Sequence, residues 1–293
     1  MNAPRYATAT EIRDALNARG LRPRHRLGQN FMADPNMAAF VANAAELSRN
    51  DAALEIGAGT GALTRLLCER AGAVVAVEID TALLPLAQES CGDYANAVFV
   101  SGDALEGSRL APGVVEAVAK ATAGGRTLKL VANLPYGAAT AIVQTMLTRG
   151  PRPSLMVVTA QSEVVDRMAA QPGSRDYGFL SLAVQMNGTV ERLRTLKPEV
   201  FWPRPEVNSA VARVRVWPSP MAGAGAALEL ASGLLEHRRK TLSRALRTCG
   251  LAVSAEAAEA FLSAAGLDPL RRPDTLGLDE FIRLAAQLGK EKP

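Results

Sequence analysis

With 293 residues, 48 % of them hydrophobic and 21 % charged, the chain can bury a large core and has the ordinary composition of a soluble globular enzyme. No apolar run approaches the roughly 20 residues of a membrane span, and the scattered Cys68, Cys91 and Cys249 fit neither a disulfide framework nor a zinc site. The net charge of +4 is modest but unevenly placed, with six arginines against two acids in the first thirty residues and five Arg or Lys against one Glu in "EHRRKTLSRALR", 236–247, which suits a polyanionic partner.

The opening "MNAPRYATATEIRDAL" is polar and charged, unlike a signal peptide, so a reduced, cytoplasmic setting is expected. "TATEIRDALNARG" predicts a helix capped by Thr8 or Thr10 and closed by Gly20. "LRPRHRLGQNFM" is basic and irregular. Asp34 as N-cap and Pro35 at the first helical position predict a second helix. Alternation follows: strand "AALEIG", helix 61–71, strand "AVVAVEI", helix 81–91, strand "NAVFVSGD", a longer connection, strand "LKLVAN", helix 138–148, strand "SLMVVTA" and helix 161–170. Continuous apolar strands between helices predict a parallel sheet covered on both faces. "TVERLRTLKP" and "VNSAVARVRVW" alternate in polarity and predict antiparallel strands at its edge. From 225 onward only helical periods remain, over 225–248, 254–264 and 278–288. "PSPMAGAG" breaks every pattern, so the expected division is an α/β sheet domain over 1–220 and a small all-α domain over 221–293.

"LEIGAGTGAL" joins the first strand of that sheet to a helix. Gly57, Gly59 and Gly61 allow a tight turn and a close approach to a ligand. The spacing G-x-G-x-G differs from the dinucleotide fingerprint, and the preceding Glu55 would repel a pyrophosphate but suit a cation. S-adenosylmethionine carries a sulfonium and an ammonium and no phosphate. Glu78, at the end of the second strand, stands where an acid accepts bonds from ribose hydroxyls, and Asp103, after the third, where one meets an adenine amino group. Any one strand-end acid could be a solvated loop cap; the set in register points to the cofactor.

The fourth strand ends in Asn133-Leu134-Pro135-Tyr136. Ligands of such sheets bind beyond the carboxyl ends of the strands. An exocyclic amine is a poor nucleophile because its lone pair is delocalised into the ring. Two acceptors near its N–H groups can draw the nitrogen toward tetrahedral geometry. The Asn133 side-chain oxygen and the Leu134 carbonyl supply them, Pro135 holds the backbone outward, and Tyr136 offers a face for stacking. The reading is a clamp for adenine or another amino-bearing base that has been unstacked from its nucleic acid; an ordinary strand-to-turn exit is the alternative.

With these motifs in place, the chain resembles the KsgA/RsmA-type small-subunit (16S) rRNA adenine N6,N6-dimethyltransferases. The resemblance runs from about residue 22 to 285, through "HRLGQNFM", "EIGAGTGALT", "VEID", "GDAL", "NLPY", "QSEVVDRMAAQPGSRDYGFLS", "VFWPRPEVNSAV" and "HRRKTLSRAL". It implies a Rossmann-like S-adenosylmethionine-dependent methyltransferase sheet with an antiparallel edge and a helical C-terminal domain that binds rRNA. It implies cofactor contacts at Asn30, the Met32 backbone, Gly57, Glu78, Asp103 and Asn133. It also implies that Phe201 packs on the target base opposite Tyr136. The activity implied is transfer of four methyl groups to two adjacent adenosines in the 3′-terminal hairpin of small-subunit rRNA, within an assembling 30S subunit, by a monomer without metal. The sequence departs from the family at Gly137, Met32, Trp202 and Arg204.

The expected chemistry is in-line displacement at the sulfonium methyl, driven by positioning and by the two acceptors. His25 and His237, the only histidines, sit in basic clusters and read as surface or RNA-side residues. Two rival readings remain at this stage. One is a large-subunit rRNA adenine methylase of antibiotic-resistance type, against which "HRRKTLSRAL" and "RRPDTLGLDEF" speak. The other is a non-catalytic RNA-binding assembly factor, against which the intact Glu55, Glu78, Asp103 and Asn133 speak.

Overall fold

The apolar runs assemble into a seven-stranded sheet in a computed structural model that describes residues 6–92 and 94–291. Arg5 of the basic N-terminal run lies outside the described residues. The strands are β1 (Asp51–Ile56), β2 (Ala73–Glu78), β3 (Ala97–Ser101), β4 (Thr127–Asn133), β5 (Leu155–Gln161), β6 (Gly188–Leu196) and β7 (Ser209–Val216). Across the sheet they run β3-β2-β1-β4-β5-β7-β6. The pairs β2–β3, β1–β2, β1–β4 and β4–β5 are parallel. β7 runs antiparallel to β5, with Ser209 opposite Gln161 and Arg215 opposite Leu155. Every residue of β1 is buried, as a central strand covered on both faces requires.

Local signals set the helix starts. Thr8 caps the helix Ala9–Asn17 in a capping box with Glu11, and Asp34 caps Pro35–Ala44 through the Asn36 and Met37 amides. The long connection after β3 holds more order than its sequence suggests. It contains the paired two-residue strands Leu105–Glu106 and Arg109–Leu110, then an 11-residue helix, Pro112–Thr122. Pro112 opens that helix, and Val114, Ala117, Val118 and Ala121 form its buried stripe. It supplies the crossover that joins the parallel strands β3 and β4.

Two compact units emerge, and they do not follow the expected division at 220/221. The first is the chain up to Val165 with Val190–Val216; the second is Asp166–Thr189 with the chain from Trp217 onward. The reason is packing: Tyr177, Leu182, Ala183 and Met186 share one apolar cluster with Leu228, Leu234, Leu246 and Phe281. Tyr177 is fully buried there and its hydroxyl donates to the Leu276 carbonyl at 2.8 Å. The helix Phe179–Gln185, unforeseen in the sequence, belongs to this unit.

The single helix expected over 225–248 is two, Ala224–Glu236 and Leu242–Thr248. Between them Thr241 is extended (φ −64°, ψ 156°), and the Leu242 amide donates to the Arg271 carbonyl at 2.7 Å. The two helices Ala255–Ala264 and Leu278–Glu291 complete the unit. Among the described residues no helix is long and apolar enough to cross a membrane.

Candidate functional site

A cavity of about 320 Å³ opens in the first unit beyond the carboxyl ends of β1, β2, β3 and β4. Each strand delivers a residue or loop to it: β1 the Gly57–Gly59 turn, β2 Glu78, β3 Asp103 and β4 Asn133 and Leu134. The segment before the sheet adds Arg26, Gly28, Asn30 and Phe31. Six of the residues expected from the sequence therefore surround one space: Asn30, Gly57, Glu78, Asp103, Asn133 and Leu134.

The wall is close-packed at its glycines. Gly57 has φ +87°, and a Cβ there would lie 3.3 Å from the Pro135 ring, so the glycine loop and the Asn-Leu-Pro-Tyr turn touch directly. A Cβ on Gly28, also left-handed, would lie 3.2 Å from the Tyr136 amide nitrogen. Gly61 serves packing rather than ligand approach, because its Cβ would fall 2.7 Å from the Ala87 Cα in the next helix.

Asn133 carries the most telling hydrogen-bond pattern. Its Nδ2 donates to the Asn30 carbonyl at 2.9 Å, which fixes the orientation of the amide. Its Oδ1 is then buried with no hydrogen-bond partner. A buried acceptor left open is costly, by about 1–3 kcal/mol, unless a ligand completes it. The Leu134 amide donates to the Thr159 carbonyl at 3.0 Å, which anchors the turn to β5.

Glu78 is 4 % exposed, and its carboxylate accepts from the Gly59 amide at 2.8 Å and the Asp80 amide at 2.9 Å. Burial pushes its pKa up, against the two backbone donors that pull it down. Asp103 is exposed and caps its own turn, with Oδ1 accepting from the Leu105 amide at 2.9 Å. Asp80 is a further residue that sequence reasoning passed over. It is buried, receives Gln29 Nε2 at 3.0 Å and pairs with Arg24 at 3.1 Å, tying the segment before the sheet to the end of β2. Its signal was its place two positions after Glu78 in "VEID".

Two expectations change. Glu55 does not face the cavity: it is 1 % exposed, and burial pushes its carboxyl well above the usual range, so it offers no charge to a cationic ligand. The other change arises in the paired two-residue strands Phe31–Met32 and Phe201–Trp202. Met32 and Phe201 are opposite each other and both enter the apolar cluster with Val41, Leu67 and Val211. Phe201 is 3 % exposed and does not line the cavity, so it presents no face to a base there; the contact expected at Met32 is through its backbone, on which the inward turn of its side chain does not bear. Neighbouring strand residues point to opposite faces. The aromatic on the cavity side is therefore Phe31, backed by the Trp202 ring at 6.5 Å between centroids.

Tyr136 does not line the cavity either, but it follows directly from residues that do. It is half-buried, and its phenolic oxygen lies 2.6 Å from Ser209 Oγ. Burial raises its pKa and the serine contact opposes the rise. The basic segment 236–247 belongs to the second unit and is only partly a free surface. Arg238 is spent internally, donating to the carbonyls of Arg175 at 2.7 Å and Tyr177 at 3.2 Å. Lys240 precedes its helix rather than lying on it, whereas Arg239, Arg244 and Arg247 are exposed. Among the described residues no cluster of three or more His, Cys, Asp or Glu could hold a metal ion.

Residues 20–286 match the model of the family described as "Ribosomal RNA adenine dimethylase". The chain is 37 % identical to the ribosomal RNA small subunit methyltransferase A of Geobacter metallireducens, over 92 % of this chain and 97 % of that one. It is 39 % identical to the protein of the same name from Moorella thermoacetica, over 93 % and 95 %. Among solved structures, a dimethyladenosine transferase from Plasmodium falciparum superposes with TM-score 0.71 at 21 % identity, covering 89 % of this chain and 98 % of that one. The 23S rRNA methyltransferase ErmE does so with TM-score 0.62 at 24 % identity, covering 89 % and 100 %. The two structures share the fold.

Proposed function

The chain belongs to the ribosomal RNA adenine dimethylase family, and we propose that it methylates N6 of adenine in small-subunit rRNA with S-adenosylmethionine as donor. The finer reading is that two adjacent adenosines in the 3′-terminal hairpin each receive two methyl groups, within an assembling small subunit. The observation that carries the methylation of an adenine amine is the Asn133 amide: its nitrogen is engaged by Asn30, and its buried oxygen is open.

The cavity fits the cofactor by its own chemistry. Glu78 and Asp103 are acceptors suited to ribose hydroxyls and an adenine amino group, and Gly57 keeps the loop backbone free of side chain where the cavity meets Pro135. Asn30, Gly57, Glu78, Asp103 and Asn133 would hold it. The bound cofactor supplies an electrophilic methyl group on a sulfonium.

The chain's part is to prepare the nucleophile. Asn133 Oδ1 and the Leu134 carbonyl accept from the two N6–H groups, which localises the nitrogen lone pair. Pro135 holds that carbonyl turned outward, and Tyr136 takes the face of the extruded base. Catalysis by such fixed acceptors needs no proton taken from the ground-state amine by a general base. The second unit contributes exposed cations, Arg239, Arg244 and Arg247, for phosphate contacts.

The test is methylation of small subunits that lack the modification, with isotopically labelled S-adenosylmethionine and mapping of the modified bases. The expected product is N6,N6-dimethyladenosine at two adjacent positions near the 3′ end. No incorporation into these subunits, or label mapped to positions other than adenine N6, would overturn the reading.

A further inference from the structure

Ser209 is fully buried at the start of β7, and the chemistry above gives it no role. A buried serine hydroxyl needs a partner. Here it meets the Tyr136 phenolic oxygen at 2.6 Å. The topology brings them together. β7 is antiparallel to β5, so its first residue, Ser209, lies opposite Gln161, the last residue of β5. β5 is parallel to β4 and sets Thr159 beside Asn133. Ser209 thus reaches the end of the sheet at which β4 delivers the Asn-Leu-Pro-Tyr turn.

A tyrosine ring has two side-chain torsions to settle. Its backbone end is already crowded, since a Cβ on Gly28 would come within 3.2 Å of the Tyr136 nitrogen. Its far end is fixed by Ser209. A phenylalanine would stack on a base as well as a tyrosine does, so stacking alone leaves the hydroxyl unexplained; an anchor in the sheet explains it. We propose that Ser209 is a positioning residue for methyl transfer, holding the Tyr136 ring in the plane that receives the target base. The proposal rests on the reading of Tyr136 as the stacking surface for that base.

The test compares Ser209→Ala, Tyr136→Phe, their double variant and Tyr136→Ala on unmethylated small subunits at saturating cofactor. Affinity for S-adenosylhomocysteine is measured alongside. Ser209→Ala and Tyr136→Phe should each lower kcat/KM for the RNA substrate about 3- to 10-fold, the worth of one neutral hydrogen bond. The double variant should be no worse than either, because both changes break the same bond. Cofactor affinity should stay level in all four, which a general loss of folding would not allow. Full activity in both single variants beside a strong loss in Tyr136→Ala overturns the role of Ser209 and leaves the stacking reading intact. Full activity in Tyr136→Ala overturns the stacking reading and this proposal with it. Losses that multiply in the double variant also overturn it. If Ser209→Ala does not fold, Tyr136→Phe decides alone, since it removes the bond and keeps the ring.

Discussion

The side-chain amide of Asn133 donates to the backbone carbonyl of Asn30 at 2.9 Å, joining the exit of β4 to the segment that precedes the sheet. The bond leaves Oδ1 as the only free acceptor of that side chain. Asn133→Ala should therefore cut methyl transfer by about 10²-fold or more, as loss of one preorganised electrostatic partner does. Asn133→Asp should fail too, because a carboxylate has no N–H for the Asn30 carbonyl. RNA affinity should change little in either. Single-turnover rates beside binding isotherms check this; turnover near that of the unmodified protein in Asn133→Ala would remove the clamp.

Glu78 should bind ribose hydroxyls in its ionised form, yet burial raises its pKa from the ordinary carboxylate value. The sign follows: as pH falls, the carboxyl of the free protein takes up its proton early, and cofactor affinity drops through that raised pKa. Affinity is full above it. Calorimetric titration of S-adenosylhomocysteine from neutral to acid pH should show the fall. Glu78→Gln should bind more weakly, and its affinity should be less sensitive to pH across the same window. Glu78→Ala should cost about 1.5–3 kcal/mol at neutral pH, the worth of a bond to a charged acceptor.

The sheet and most of the cavity were legible in the sequence because they depend on local signals. Apolar runs mark buried strands, and a residue that follows a parallel strand is carried to its carboxyl end. Glu78, Asp103 and Asn133 were found this way. What stayed hidden depends on side-chain direction and distant pairing. Glu55 sits one residue before Ile56, which lines the cavity, and strand alternation turns it away. Phe201 is turned inward by its register with Met32. Ser209 and Tyr136 are 73 positions apart, and only the antiparallel return of β7 makes them neighbours. The second unit was misjudged at its start because Tyr177 and Met186 fall between the alternating elements and the antiparallel edge strands, inside the stretch 1–220 expected to form the sheet domain, while their cluster lies with the C-terminal helices.

Two glycines near the site should respond oppositely to alanine. Gly61 has φ +81°, and an added Cβ would fall 2.7 Å from Ala87 Cα and 2.8 Å from its carbonyl oxygen. Both the backbone and the helix contact would have to yield, so Gly61→Ala should destabilise by more than about 1 kcal/mol. Gly137 has ordinary φ and nothing within 4 Å of an added Cβ. Gly137→Ala should leave the melting temperature unchanged or slightly raised. Thermal unfolding of the two variants checks both; a marked drop for Gly137→Ala would mean that the turn needs glycine's freedom.

The basic segment of the second unit should divide by function. Arg238 holds the carbonyls of Arg175 and Tyr177 and lies 3.6 Å from Asp274, so Arg238→Ala should lower the melting temperature. Arg244 and Arg247 are exposed and three positions apart on the helix Leu242–Thr248, close enough to present neighbouring charges. If they meet phosphates, each contact releases counterions and adds roughly −0.7 to −0.9 to the slope of log affinity against log salt. Replacing both with alanine should weaken binding of the small subunit and flatten that slope by about one to two units. Cofactor affinity should not move, because the cavity is built from the other unit. Subunit affinity and salt slope equal to those of the unmodified protein would make this face a solvated one and shift the search for phosphate contacts to Arg22, Arg24 and Arg26.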